Sequence, residues 1–172
     1  ALGLHFEDPE ATYVPYLWEI ARSGATSVSL VVSWAQHDVR ATAIEPHAAR
    51  TVPDETLRAT IRAAHRLGLD VMVFPILWIE QRTDDEWRGR LAPTNISAWF
   101  DAYGTFIAHY AALAEEEGVA MLSVGSELAS MERYEVYWET LISEVRATYD
   151  GTLIYSANWD QFEQTPFWSE LD

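Results

Sequence analysis

The strongest chemical signature in the chain is MLSVGSEL, residues 121–128, where an apolar run leads into Gly125, a small Ser126 and then the carboxylate of Glu127 before a polar loop begins. A carboxyl group delivered by the end of a strand suits acid/base chemistry, because it can hand over a proton and take one back. The glycine ahead of it lets another group approach the backbone closely. The bland alternative is a surface glutamate that caps the next helix or pairs with Arg133. Glu7, Asp8, Glu80 and Asp160 also follow apolar runs, and they fit hydroxyl binding, loop capping or solvation better than nucleophilic attack.

Tryptophan recurs where these runs finish: one ends in Ser33-Trp34, another runs into Trp78, and the last ends in Asn158-Trp159-Asp160. Indoles gathered at one end of a barrel form a platform for the apolar faces of sugar rings, whereas packing under a loop is the plain alternative for each. His5 is expected to point from the first strand toward the barrel, either as a hydroxyl ligand or as a satisfied core histidine. His5, His37, His47, His65 and His109 lack H-x-x-x-H or other ligand spacing, so no metal is expected. There is also no phosphate-binding loop and no G-x-S-x-G elbow.

The elements that must position these groups alternate in kind. Apolar, β-branched runs of strand length at residues 1–6, 27–34, 70–77, 120–125 and 152–157 are separated by segments of helical period, the mark of a parallel βα repeat. The first helix begins near Pro15 and stops at Ser23-Gly24, and the second takes Thr51 as its N-cap and stops at Gly68. Ile96, Trp99, Tyr103, Phe106, Ile107 and Tyr110 fall on one stripe of the third. Glu115 to Glu117 at its end read as a solvated face. The fourth helix buries Trp138, Leu141, Ile142, Val145 and Tyr149.

Units of about 34 residues fit an α/β fold of the (β/α)8 TIM-barrel kind, here a partial barrel of about five βα units, since eight of them approach the roughly 250 residues of a typical barrel. A doubly wound open sheet is the alternative, but its nucleotide would sit on a glycine-rich first turn, and that turn here reads HFEDPEAT.

The 172 residues, 49% hydrophobic, support one domain over 1–172. A formal charge of −16 repels phosphate-rich partners, so no nucleic acid is expected. No apolar run approaches the roughly 18 to 20 residues a membrane span needs. The chain has no cysteine, which excludes a thiol nucleophile and leaves the compartment open, an extracytoplasmic one included. Opening on Ala1-Leu2 inside an apolar run and closing at Leu171-Asp172 with no tail, it is expected to be cut at both ends.

On these residues the chain resembles glycoside hydrolase family 113 and its barrel relatives, through GATSVSLVVSW, SVGSEL and YWETLISEVRATYDGTLIYSANWDQFEQTPFWSELD. The G-S-E-L turn and the Y-S-A-N-W-D strand end are its most specific parts. The resemblance implies a retaining glycosidase with its acid/base glutamate after strand four and its nucleophile glutamate after strand seven. Members are known chiefly as β-mannanases.

Carried over by position, the acid/base falls on Glu127, and Asn158 and Trp159 match a strand-five end that lines the sugar site. Many relatives have asparagine before the acid/base to hold the sugar 2-hydroxyl, where this chain has Ser126. The nucleophile has no counterpart in the chain. The implied partner is an oligo- or polysaccharide of β-linked hexose, with β-1,4-mannan first and β-glucan as an alternative, and no cofactor. Trp34, Trp78 and Trp159 would stack sugar rings while Asn158 and His5 bind hydroxyls. The 172 residues are not expected to turn over substrate unaided. The rival from another class is a carbohydrate-binding or scaffold barrel that has lost catalysis.

Overall fold

The computed structural model describes residues 1–4 and 12–172. His5, Glu7 and Asp8 lie outside the described residues. The strands β1 (Leu2–Gly3), β2 (Ser27–Gln36), β3 (Asp70–Ile79), β4 (Met121–Ser126) and β5 (Thr152–Ser156) form one parallel sheet in the order β1-β2-β3-β4-β5. Strictly sequential order, each strand returning through a helix, is the winding of a TIM barrel, whereas a doubly wound sheet reverses its order at a switch point. The helices are α1 (Val14–Arg22), α2 (Asp54–Arg66), α3 (Ile96–Glu116), α4 (Ala129–Glu132) and α5 (Glu135–Arg146). The chain is thus a TIM-barrel arc of four βα units and a fifth strand, which is followed among the described residues by short 3-10 turns rather than an α-helix.

Strand periodicity decides which side chains reach which layer. Val28, Leu30, Val32 and Trp34 of β2, with Val71, Val73 and Leu77 of β3, are buried against the helices. Residues of the opposite parity, Met72, Phe74, Ile76 and Trp78, line the concave face and are half-buried. Both β2 and β3 run two residues further than the sequence indicates, so Trp34 and Trp78 sit within strands.

The third helix carries most of the helical layer. Trp99, Tyr103, Phe106 and Tyr110 are buried, with Trp99 stacked on Tyr103 at 4.8 Å between ring centroids. Burying a large apolar side chain contributes roughly 1.5–3 kcal/mol, so this stripe anchors the arc. Two of its polar tips are satisfied, the Trp99 indole donating to Oε1 of the wholly buried Gln36 at 2.8 Å and the Tyr103 hydroxyl to the Val124 carbonyl at 3.0 Å, while the Tyr110 hydroxyl is buried without a partner. The Tyr103 bond ties α3 to the end of β4.

Local details differ from the sequence reading. Thr51 does not cap α2, whose N-cap position is Pro53. Instead its hydroxyl donates to the Ser33 carbonyl at 2.7 Å and accepts the His47 N–H at 2.8 Å, pinning the loop to β2. The fourth helix is broken into α4 and α5, and Tyr149 lies beyond the end of α5, donating to the Val119 carbonyl at 2.8 Å. Glu117 is no solvated residue: its side chain is 6% exposed and ion-paired to Arg58 and Arg62, while Glu116 pairs with Arg58.

Candidate active site

Glu127 follows β4 directly and is the one non-glycine residue with positive φ, 55°, among the described residues. Side chains other than glycine pay roughly 1–2 kcal/mol for this left-handed region, so the surroundings must hold it there. They do so on both sides. The Glu127 N–H donates to the Ser156 carbonyl of β5 at 2.7 Å, and the next N–H, that of Leu128, donates to the Tyr155 hydroxyl at 2.9 Å. The β4–β5 register shifts between Ser123 and Ser126, an irregularity of the kind that re-aims a side chain at a barrel rim.

Glycine is required at the approach to the turn. A Cβ on Gly125 would stand 2.8 Å from Cε2 of Tyr155 and 2.9 Å from the Tyr103 hydroxyl. Ser126 is 6% exposed and is paired in register with Ser156.

The carboxylate of Glu127 accepts a hydrogen bond at Oε2 from Nη2 of Arg88, with the two side chains 40% and 28% exposed. It does not pair with Arg133, whose guanidinium lies over Tyr134 and donates to that hydroxyl. Arg88 comes from the loop after β3, in a short turn of 3-10 helix at Arg88–Arg90, and the Trp87 ring covers Gly89 beside it. One oxygen of Glu127 is thereby engaged by a cation. A carboxyl so placed can still exchange a proton with a ligand through its other oxygen.

Beside this pair lies a cleft of about 380 Å³ lined by Trp87, Arg90, Ser130, Asn158, Asp160 and Gln161, among others. Nε of Arg88 and Oγ of Ser130 are buried without a hydrogen-bond partner. Asn158, two residues past the end of β5, reaches this cleft.

The tryptophans divide. Trp159 is 88% exposed after β5, free to meet a ligand. Trp78 lies half-buried on the concave face near the C-terminal end of β3. The Arg50 guanidinium sits 4.2 Å over its ring and His47 meets it edge-on at 5.1 Å. Trp34 does not join them. It is 8% exposed and packs against Phe106, His109 and Tyr110 of α3, because its strand parity turns it to the helices.

Glu80 after β3 meets Nδ1 of His37 at 3.2 Å and Nε2 of His47 at 3.5 Å, joining three residues far apart in the chain into one cluster at the rim. Among the described residues no group of three or more His, Asp or Glu side chains is arranged to hold a metal ion. Arg88 was not singled out from the sequence at all. An arginine in a polar loop carries no local signal of which distant carboxylate it will meet.

Comparison with known proteins yields a coherent set of likenesses. The β-mannanase AaManA of Alicyclobacillus acidocaldarius, a family 113 enzyme solved in complex with ManMIm, superposes with a TM-score of 0.89 at 27% identity, covering 100% of this chain and 58% of that one. A second family 113 β-1,4-mannanase superposes with a TM-score of 0.83 at 24% identity, over 100% of this chain and 59% of the other. An endoglucanase of Pseudomonas stutzeri shares the fold more distantly, with a TM-score of 0.53 and 15% identity over 85% of this chain and 44% of its own. The chain thus spans under two thirds of the length of the mannanases it superposes on. No curated protein matches it in sequence. The profile described as Glycoside Hydrolase Family 113 matches residues 5–172, and the chain belongs to that family.

Proposed function

We propose that the protein is a retaining glycoside hydrolase that cleaves β-linked hexose polysaccharide, β-1,4-mannan first, with Glu127 as its acid/base. The observation that carries this reading is the partly exposed carboxyl of Glu127, held in a left-handed backbone conformation at the end of β4 in a family 113 chain. Strain of this kind gathers at functional sites, where neighbouring structure over-determines the backbone.

In the first step, as the bond from C1 to the glycosidic oxygen breaks, Glu127 gives its proton to that oxygen and a second carboxylate bonds to C1. That nucleophile is proposed to follow the seventh strand of the complete barrel, where the family resemblance puts it. In the second step water adds to C1, the carboxylate leaves, and Glu127 takes the proton from the water. Trp159 and Trp78 are proposed to stack against sugar rings, with Asn158 binding hydroxyls. The neighbouring mannanases support mannan as the substrate. His5 remains a proposed hydroxyl ligand outside the described residues.

The test is Glu127→Ala in the full-length protein. Turnover of mannan is expected to fall by at least about 100-fold, the scale of acid/base assistance. Added azide, which needs no general base, is expected to restore turnover of an activated aryl glycoside as a β-glycosyl azide. Undiminished mannan hydrolysis by this variant would remove Glu127 from the chemistry. Binding of mannan by a wild-type protein that hydrolyses nothing would point to the non-catalytic binder.

A further inference from the structure

The turn that carries Glu127 rests on one buried hydroxyl. Tyr155 of β5 is 6% exposed, and its ring lies against Gly125, two residues before Glu127, where an added Cβ would come within 2.8 Å of it. Its hydroxyl accepts the N–H of Leu128, the residue after Glu127, at 2.9 Å. The same hydroxyl donates to Oε1 of Glu132 at 2.7 Å. Tyr155 therefore holds the strained residue from both sides without touching its carboxylate.

Glu132 at the end of α4 is itself unusual. It is 5% exposed, and no cation pairs with it among the described residues. Among the described residues its second oxygen accepts only the Thr165 hydroxyl, at 3.1 Å. Burying a carboxylate with two hydroxyl donors and no cation is expensive unless the arrangement does something that an apolar side chain could not. Here it fixes the direction in which the Tyr155 hydroxyl points. With the proton of Tyr155 committed to Glu132, its lone pair is left facing the Leu128 N–H. Burial, followed by the bond to Glu132, holds the Tyr155 phenol far above its ordinary range, so it stays a neutral hydroxyl throughout the working pH range.

We propose that Tyr155 and Glu132 are positioning residues for proton transfer by Glu127. Their bond chain, Glu132 to Tyr155 to Leu128, keeps Glu127 in its left-handed conformation and so aims its carboxyl at the leaving oxygen. This rests on the reading of Glu127 as the acid/base.

Leaving-group dependence separates aiming from folding. A poor leaving group, such as phenol, needs a well-placed proton donor; 2,4-dinitrophenolate departs without one. In the full-length protein, Tyr155→Phe keeps the ring and removes the hydroxyl. Its kcat/KM is expected to fall about 10- to 100-fold on a phenyl β-mannooligoside and less than about 3-fold on the dinitrophenyl analogue, a fraction of full acid/base assistance. Glu132→Leu, which removes the acceptor of the Tyr155 hydroxyl, is expected to reproduce that selective loss, and Glu132→Gln, which keeps an acceptor, to recover most of it; equal losses on the two substrates in Glu132→Leu would remove Glu132 from the chain. Equal losses on the two substrates in Tyr155→Phe, or no loss on either, would overturn the proposal. Glu127→Ala is assayed alongside on the same pair. Selective loss in Glu127→Ala without selective loss in Tyr155→Phe refutes positioning alone, while no selective loss in Glu127→Ala refutes the acid/base reading itself.

Discussion

Arg88 donates from Nη2 to Oε2 of Glu127 across 39 residues of chain, linking the loop after β3 to the rim of β4. The bond fixes the rotamer of a carboxyl whose backbone is already fixed by Ser156 and Tyr155. Orientation of a reacting group is worth a large part of a barrier, and a small misplacement suffices to lose it. Arg88→Met, which keeps the aliphatic stem, is therefore expected to lower kcat/KM on mannan by about 10-fold with little change in melting temperature. Arg88→Lys should not restore it, because an ammonium lacks the planar fork of the guanidinium. Wild-type rates in Arg88→Met would show the contact to be incidental.

Trp159 and Trp34 provide a paired test of which indoles meet substrate. Trp159 is 88% exposed and Trp34 is 8% exposed under α3. Trp159→Ala should leave stability within about 0.5 kcal/mol of wild type, as substitutions at open surface do, while raising KM for mannan. Trp34→Ala should cost about 3–5 kcal/mol by opening a cavity against Phe106 and Tyr110. Denaturant titration and steady-state kinetics on both variants decide it. An unchanged KM for Trp159→Ala would remove that residue from the binding surface.

Acid stability should depend on Glu117, which joins α3 to α2. Hydrogen bonds from Arg62 and then Arg58 lower its pKa below the ordinary 4.5, against some opposing desolvation. A carboxyl whose folded pKa is depressed contributes stability that is fully present above its unfolded pKa and lost as pH falls through the folded one. Glu117→Gln should therefore be less stable than wild type at pH 7, with the gap narrowing below about pH 4.5. Chemical denaturation of the full-length protein at neutral and acid pH measures the gap. A difference that stays constant across that window would exclude the ion pairs as its source.

How far the sequence reading reached depended on whether its signals were local. The sheet was legible because buried parallel strands must read as apolar runs, and Glu127 because an apolar run, a glycine and a carboxylate follow one another at 124–127. Trp34 reads from the sequence as a strand end, whereas it sits within β2. Its parity with Val28, Leu30 and Val32 already assigned it to the helix side. Arg88 and Glu132 were illegible for a different reason. Each acts through a partner brought near only by the barrel winding, Arg88 on Glu127 and Glu132 on Tyr155, and no spacing along the chain announces such a meeting.

Gly125 offers the sharpest local test of how tightly the rim is built. Alanine there would set its Cβ 2.8 Å from Cε2 of Tyr155 and 2.9 Å from the Tyr103 hydroxyl, closer than real side chains tolerate. Neither neighbour can swing away freely. Tyr155 is bonded to Leu128 and Glu132, and Tyr103 is stacked on Trp99 and bonded to the Val124 carbonyl. The strain must therefore move the backbone of β4 or the Tyr155 ring. Gly125→Ala is expected to destabilise the full-length protein by about 1–3 kcal/mol, the usual range for overpacking, and to reduce mannan turnover beyond what the unfolded fraction explains. Activity per folded molecule, measured well below the melting temperature, separates the two effects. Full activity at wild-type stability would mean that the rim yields easily, and that Glu127 is not held as firmly as its contacts indicate.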